Sequence, residues 1–196
     1  MGGTVDVREA VGADIDAAVA LWTLSHVVRR NGRPLPEAHV AVARQRMASP
    51  ESLLLLAEES EADPAEAGPS SGTELIGTIL AVQGLERDGA GPAIPGLLHL
   101  SLLSVAPDRW GRHVGRHLVE AVLDRSASDG FTEAQLWTHA DNLRANRLYK
   151  AMGFRRSGRV RVDDWGELLV HYRRGLSGGS APVDPPVAPF VAPPVG

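Results

Sequence analysis

The chain has 196 residues, with 24 acidic against 20 basic side chains, a formal charge of −4 and no cysteine. That length suits one domain whose core needs no covalent staples, and the lack of cysteine excludes disulfides, thiolate metal ligands and a thiol nucleophile. The mild negative balance offers no general attraction to nucleic acid or anionic lipid. No apolar run approaches the ~20 residues of a membrane span, and the N-terminus lacks a secretory pattern, so a cytoplasmic protein is expected.

Val5 to Arg8 reads as a short strand. Asp14 is placed to cap a helix whose apolar residues Ile15, Ala18, Val19 and Trp22 recur at i, i+3, i+4 and i+7. After the turn at Asn31 to Pro34, Pro36 can sit in the first turn of a second helix, which Ser49-Pro50 stops. Leu53 to Ala57 is a continuous apolar run and predicts a buried strand. Residues 59–73 are acidic and rich in Pro, Gly and Ser, and read as a mobile hairpin loop rather than a domain boundary. Leu75 to Val82 makes the returning strand, and a Gly- and Pro-containing loop over residues 84–96 leads to a central strand, Leu97 to Val105.

Past that strand, Pro107 ends the ladder and a loop with Gly111 and Gly115 opens a helical pattern, in which Val114, Leu118, Ala121 and Val122 form one apolar stripe. Unpaired N–H groups at such a helix start, the helix dipole, and the side chains of Arg112 and Arg116 make a cradle for phosphate. Similar turns elsewhere bind nothing, so the loop alone does not decide the matter. The helix closes at Gly130, Ala134 to His139 is a strand, and Asn142 caps a helix that ends at Met152 with Gly153 beyond it. Arg155 to Val162 and Leu168 to Arg174 are two last strands around the turn at Asp163 to Gly166. The order β-α-α-β-β-β-α-β-α-β-β describes a mixed sheet with helices on its faces. Residues 1–176 are expected to form the domain, and 177–196 a disordered tail rich in Pro, Ala and Val.

Two segments together carry a family signature. Val105-Ala-Pro-Asp-Arg-Trp-Gly-Arg-His-Val-Gly115 resembles the acyl-CoA pyrophosphate loop of the GNAT superfamily of N-acetyltransferases, and Asn142-Leu-Arg-Ala-Asn-Arg-Leu-Tyr-Lys-Ala-Met-Gly-Phe154 resembles its later motif. The resemblance implies an α/β fold with a mixed, mostly antiparallel sheet of six to seven strands and about four helices. It implies transfer of an acetyl group from acetyl-CoA to a primary amine of a small molecule or peptide, by direct attack in a ternary complex. The alternative is an acyl-CoA-binding sensor or scaffold without turnover. A homodimer is compatible with either, and neither nucleic acid nor membrane is an expected partner.

Under the same resemblance the cofactor rests on Trp110, Gly111, Arg112, His113, Val114, Gly115 and Arg116, with backbone groups of Leu103, Ser104 and Val105 pairing with its pantetheine arm. The family commonly has Gln or Arg at Trp110 and Gly at His113. Because a Cβ closes conformations open to Gly, ordinary helical geometry is expected at His113. Asn142, Asn146 and Tyr149 fall on one helical stripe, taken to face the cofactor, while Ala145, Leu148 and Met152 face the sheet. Tyr149 is the candidate general acid, against the plainer reading of a half-buried packing residue.

The base is open between His99 and His139, with Glu74 or Asp141 through water, or water itself, as further choices. His113 and His117 have a zinc-compatible spacing but no third ligand, so no metal is expected. Asp163, Asp164 and Glu167 cluster in the last turn, either as an acidic rim that draws a cationic amine or as an ordinary solvated turn.

Overall fold

The computed structural model describes residues 4–60, 73–163 and 165–176. Most of the expected loop between residues 59 and 73, Asp164 and the C-terminal tail lie outside these residues. The strands are β1 (Thr4–Glu9), β2 (Leu53–Ser60), β3 (Glu74–Leu85), β4 (Ala93–Val105), β5 (Glu133–His139), β6 (Arg155–Val162) and β7 (Leu168–Gly175). The helices are α1 (Ile15–Arg29), α2 (Glu37–Met47), α3 (Val114–Ser128) and α4 (Leu143–Ala151).

All seven strands join one sheet in the order β1-β2-β3-β4-β5-β7-β6. Five neighbouring pairs are antiparallel, and β4 with β5 is parallel. The apolar run in β2 is continuous because helices cover both faces of the sheet. Leu55 packs with Ile79, Leu98, Leu100 and Leu136 against Val114, Leu118 and Val122 of α3. Leu54 and Leu56 pack with Leu80 against Val19 and Trp22 of α1 and Met47 of α2.

Two boundaries differ from expectation. The loop over 84–96 is mostly hairpin: β3 runs to Leu85 and β4 starts at Ala93, with a register shift between Gln83 and Leu85. The shift accommodates Pro95, which has no N–H for the ladder, and the Gln83 amide donates to the Leu97 carbonyl at 3.0 Å. Asp14 does not cap α1 with its side chain. It sits in a 3₁₀ turn, where its carboxylate accepts from Val11 N–H at 2.8 Å and pairs with Arg8 at 2.7 Å.

The parallel pairing of β4 and β5 stops at Leu100 opposite Leu136, although β4 continues to Val105. Just past this point β4 is bulged against β3, and Leu102 has φ +51°. A bulge bends its strand, and the two parallel strands part. At the far edge of the sheet, all eight residues of β6 are exposed, four of them arginine, and its pairing with β7 shifts between Arg156 and Val160.

The Arg8 guanidinium and the Val11 amide hold the Asp14 carboxyl at about 2, below its ordinary 3.8. A depressed carboxylate pKa adds stability above the ordinary value and loses it as pH falls through the folded one. Urea unfolding at pH 5, 4, 3 and 2 is expected to show a steeper loss of stability below pH 4 in the parent protein than in Asp14→Asn.

Candidate functional site

A cavity of about 350 Å³ opens where β4 and β5 part. Leu103, Ser104 and Val105 of β4 line one wall, the loop residues Trp110, Gly111, His113, Val114, Gly115 and Arg116 another, and Asn142 the start of α4. Ser25 and Arg29 of α1 close part of the boundary. Of the sequence-predicted cofactor residues, Arg112, Asn146 and Tyr149 are not part of this lining. The buried Ser104 Oγ has no hydrogen-bond partner among the described residues, so a polar group beside the cavity is left for a ligand.

The loop geometry explains how backbone donors come to face the cavity. Gly111 has φ +85° and His113 φ +64°, so the chain turns twice through left-handed conformations before α3 begins. Among the described residues, the amides of Gly111, His113, Val114 and Gly115 find no acceptor. Four free donors at a helix start, with the positive end of the dipole behind them, fit an anion such as a diphosphate. A Cβ at Gly115 would meet Leu148 Cδ2 at 3.3 Å, so the missing side chain lets α3 start close against α4.

The expected helical geometry at His113 is therefore corrected. An L-residue in the left-handed region costs about 1–2 kcal/mol, which histidine tolerates better than a β-branched residue. Surrounding contacts hold the turn. The Trp110 indole N–H donates to the Val105 carbonyl at 2.8 Å, and Arg144 lies 4.0 Å over its ring. Arg109 pairs with Glu59 at 2.7 Å and Glu74 at 2.8 Å, tying the loop to β2 and β3. Arg109 and Trp110 have no regular spacing that would reveal these roles. Five arginines border the cavity; Arg29, Arg109 and Arg116 are paired with carboxylates, while Arg144 and Arg147 meet none among the described residues and leave positive charge suited to phosphate.

His139 and His99 are placed apart. The residues Gln135, Trp137 and His139 alternate along β5 and share a sheet face, and His99 pairs with Gln135 across the parallel ladder. Yet His99 borders a second cavity, and neither histidine lines the first. His139 Nδ1 stands 3.0 Å from Glu167 Oε2, in ion-pair range but off hydrogen-bond alignment. Burial, and then the Arg29 charge, push the His139 pKa down, while Glu167, Asp163 and Asp141 push it up; the net direction is down.

The acidic turn is largely matched internally. Glu167 pairs with Arg29 at 2.8 Å and Arg30 at 3.4 Å, and these guanidinium groups help to lower its pKa against the opposing effect of burial. Asp163 Oδ1 accepts from the amides of Trp165 and Glu167, both at 2.9 Å. Ligand atoms of His139, Asp163 and Glu167 lie within 4.8 Å of one another, a grouping the sequence did not single out. The two arginines at Glu167 oppose a bound cation, so the cluster reads as an ion-pair network. His113 and His117 join no such group among the described residues.

At the end of α4 Met152 is buried in the core as expected, and Ala145 and Leu148 pack against that core, but beyond Asn142 the polar stripe does not face the cavity. Ala145 and Leu148 reach the cavity, whereas Asn146 and Tyr149 are buried against the sheet. Asn142 caps the helix, its Oδ1 accepting from Ala145 N–H at 3.2 Å. Asn146 donates to the carbonyls of His139 at 3.0 Å and Asn142 at 2.8 Å, and accepts from Tyr172 O–H at 2.8 Å. Tyr149 packs its ring 5.8 Å from Phe154 and 6.1 Å from Tyr172, and burial pushes its pKa up. Polar type alone predicted the opposite face, because the His139 carbonyl and the Tyr172 hydroxyl that draw Asn146 inward come from β5 and β7. Asn146→Ala leaves the fully buried Tyr172 hydroxyl without its acceptor, and chemical denaturation is expected to show a loss of about 1–3 kcal/mol.

Residues 29–154, well over half the chain, match the Acetyltransferase (GNAT) family. A mycothiol acetyltransferase from Brachybacterium faecium is 40% identical over 58 residues, 30% of this chain and 18% of that protein. A second, from Kocuria rhizophila, is 36% identical over 62 residues, 32% of this chain and 20% of that protein. The alignments thus span about a fifth of these curated relatives. Among solved structures, the ribosomal-protein-S18-alanine N-acetyltransferase of Escherichia coli has a TM-score of 0.61 at 17% identity, covering 92% of this chain and 98% of its own. YncA from Salmonella typhimurium, solved with its cofactor acetyl-CoA, has a TM-score of 0.64 at 20% identity, covering 91% and 98%. At such identity the likeness is one of fold. The family match itself holds the glycine loop, α3 and α4, and the chain belongs to the GNAT acetyltransferase family.

Proposed function

We propose that the protein moves an acetyl group from acetyl-CoA to a primary amine by direct attack in a ternary complex. The observation that carries this reading is the set of free amides at Gly111, His113, Val114 and Gly115, set in an arginine-rimmed cavity at the parting of β4 and β5. In this scheme those amides hold the diphosphate. Backbone groups of Leu103 and Ser104 pair with the pantetheine arm; the Val105 carbonyl already accepts from Trp110. The neutral amine attacks the thioester carbonyl carbon, the carbon–sulfur bond breaks, and the thiolate takes up a proton.

Tyr149 is the proposed acid on the strength of its place in the Asn142–Phe154 motif; its hydroxyl carries a proton at neutral pH, although burial raises its pKa and so weakens it as a donor. His139 is preferred to His99 as the base. It neighbours Glu167, which is held by the cavity residue Arg29, and its lowered pKa keeps it neutral and able to accept a proton. A second reading, an acyl-CoA sensor without turnover, draws on the position of both histidines and Tyr149 outside the cavity lining. The acceptor is proposed to be a small-molecule or peptide amine.

Calorimetry with acetyl-CoA and a screen of amines with free thiol as readout test the two readings: binding with thiol release supports the transferase, and binding without it the sensor. Gly111→Glu adds a side chain at φ +85° and a negative charge beside the amides, and is expected to weaken acetyl-CoA binding at least tenfold in the same titration. Tyr149→Phe preserves the packing, and its turnover is expected to fall by about 100-fold or more with acetyl-CoA affinity unchanged. Unchanged turnover removes Tyr149 from the scheme.

A further inference from the structure

The second cavity, of about 320 Å³, lies on the other side of the strand parting and gathers positive charge. Arg46, from the last turn of α2, and Arg161, from β6, both border it, with His99 of β4 and Trp137 of β5 between them. The Arg161 guanidinium lies 4.8 Å over the Trp137 ring. Among the described residues neither Arg46 nor Arg161 meets a carboxylate, in contrast to Arg8, Arg29, Arg30 and Arg109. Burial of Arg46, and then the nearby charge of the exposed Arg161, lower the Arg46 pKa.

Among the described residues the arrangement lacks a counter-charge. A guanidinium presents a planar fork of donors that matches a carboxylate, and the Trp137 face on which Arg161 stacks holds that fork in place. The position of the cavity says what could bring the carboxylate. His99 precedes Leu103 of the main cavity by four residues along β4, about 13 Å of extended strand. An extended tripeptide spans a comparable distance, at about 3.3 Å per residue. In the nearer acidic turn Glu167 is already paired with Arg29 and Arg30.

From this juxtaposition we infer that Arg46 and Arg161 form a subsite for a carboxylate on the acceptor, remote from its reacting amine. The selected class is an elongated, acidic amine such as a peptide whose third residue is acidic. The placement of the amine rests on the acetyl-transfer reading; the anion subsite does not.

The amidated tripeptides Ala-Ala-Asp and Ala-Ala-Asn differ by one charge at nearly constant shape. Acetyl transfer is expected to favour the acidic peptide by about tenfold or more in kcat/KM, through KM. Arg46→Gln and Arg161→Gln each shrink that preference, Arg46→Lys keeps part of it, and turnover of the neutral peptide reports that each variant is folded. Equal use of both peptides, or a preference that survives both Gln variants, overturns the subsite. Calorimetry of the same peptides on the full chain saturated with CoA needs no turnover. An arginine-dependent preference there without acetyl transfer upholds the subsite and removes the transferase reading; no preference there overturns the subsite. Free succinate is expected to compete with the acidic peptide, and succinate bound alongside it overturns the assignment to the acceptor.

Discussion

The rest of the architecture depends on two parallel strands that stay paired only as far as Leu100 and Leu136. Each is followed by a helix whose N-terminus returns to the same end of the sheet, α3 after β4 and α4 after β5. Where parallel strands diverge, carbonyl and amide groups lose their ladder partners and two helix starts converge, which is why open α/β sheets place ligands at such points. The bulge at Leu102 adds the bend that turns this divergence into a cavity.

The loop itself trades backbone strain for aimed donors. Two left-handed residues within three positions point a row of amides into one volume. The cost is offset at its borders, by Trp110 bonded to Val105 and stacked with Arg144, and by Arg109 in its carboxylate pairs. These contacts join β2, β3, β4 and α4 to one turn.

Element order, the two helix stripes of α1 and α3, and the glycine loop that opens α3 were legible because they rest on local periodicity and on turn chemistry. The face of α4 was not. Asn146 and Tyr149 look like a polar stripe on a helical wheel, yet Asn146 is drawn inward by the His139 carbonyl and the Tyr172 hydroxyl, which the sequence holds 7 and 26 positions away. His113 defied a rule about Cβ sterics because a modest cost was allowed to stand. Asp14 has the residue type of a cap, but Arg8 competes for its carboxylate across the sheet edge. The apparent acidic rim at Asp163 to Glu167 gains its partners from α1, more than 130 residues upstream. In each case the deciding neighbour is brought in by tertiary packing.

The open edge at β6 has a bearing on how this sheet behaves in a crowded solution. A bare strand is a template on which another chain can stack, and here the template is spoiled twice. Its register kinks around Gly158, and its arginines set like charges against any second copy of itself. The sheet is thereby closed to growth at that border by repulsion and shape, with no helix needed to cover it.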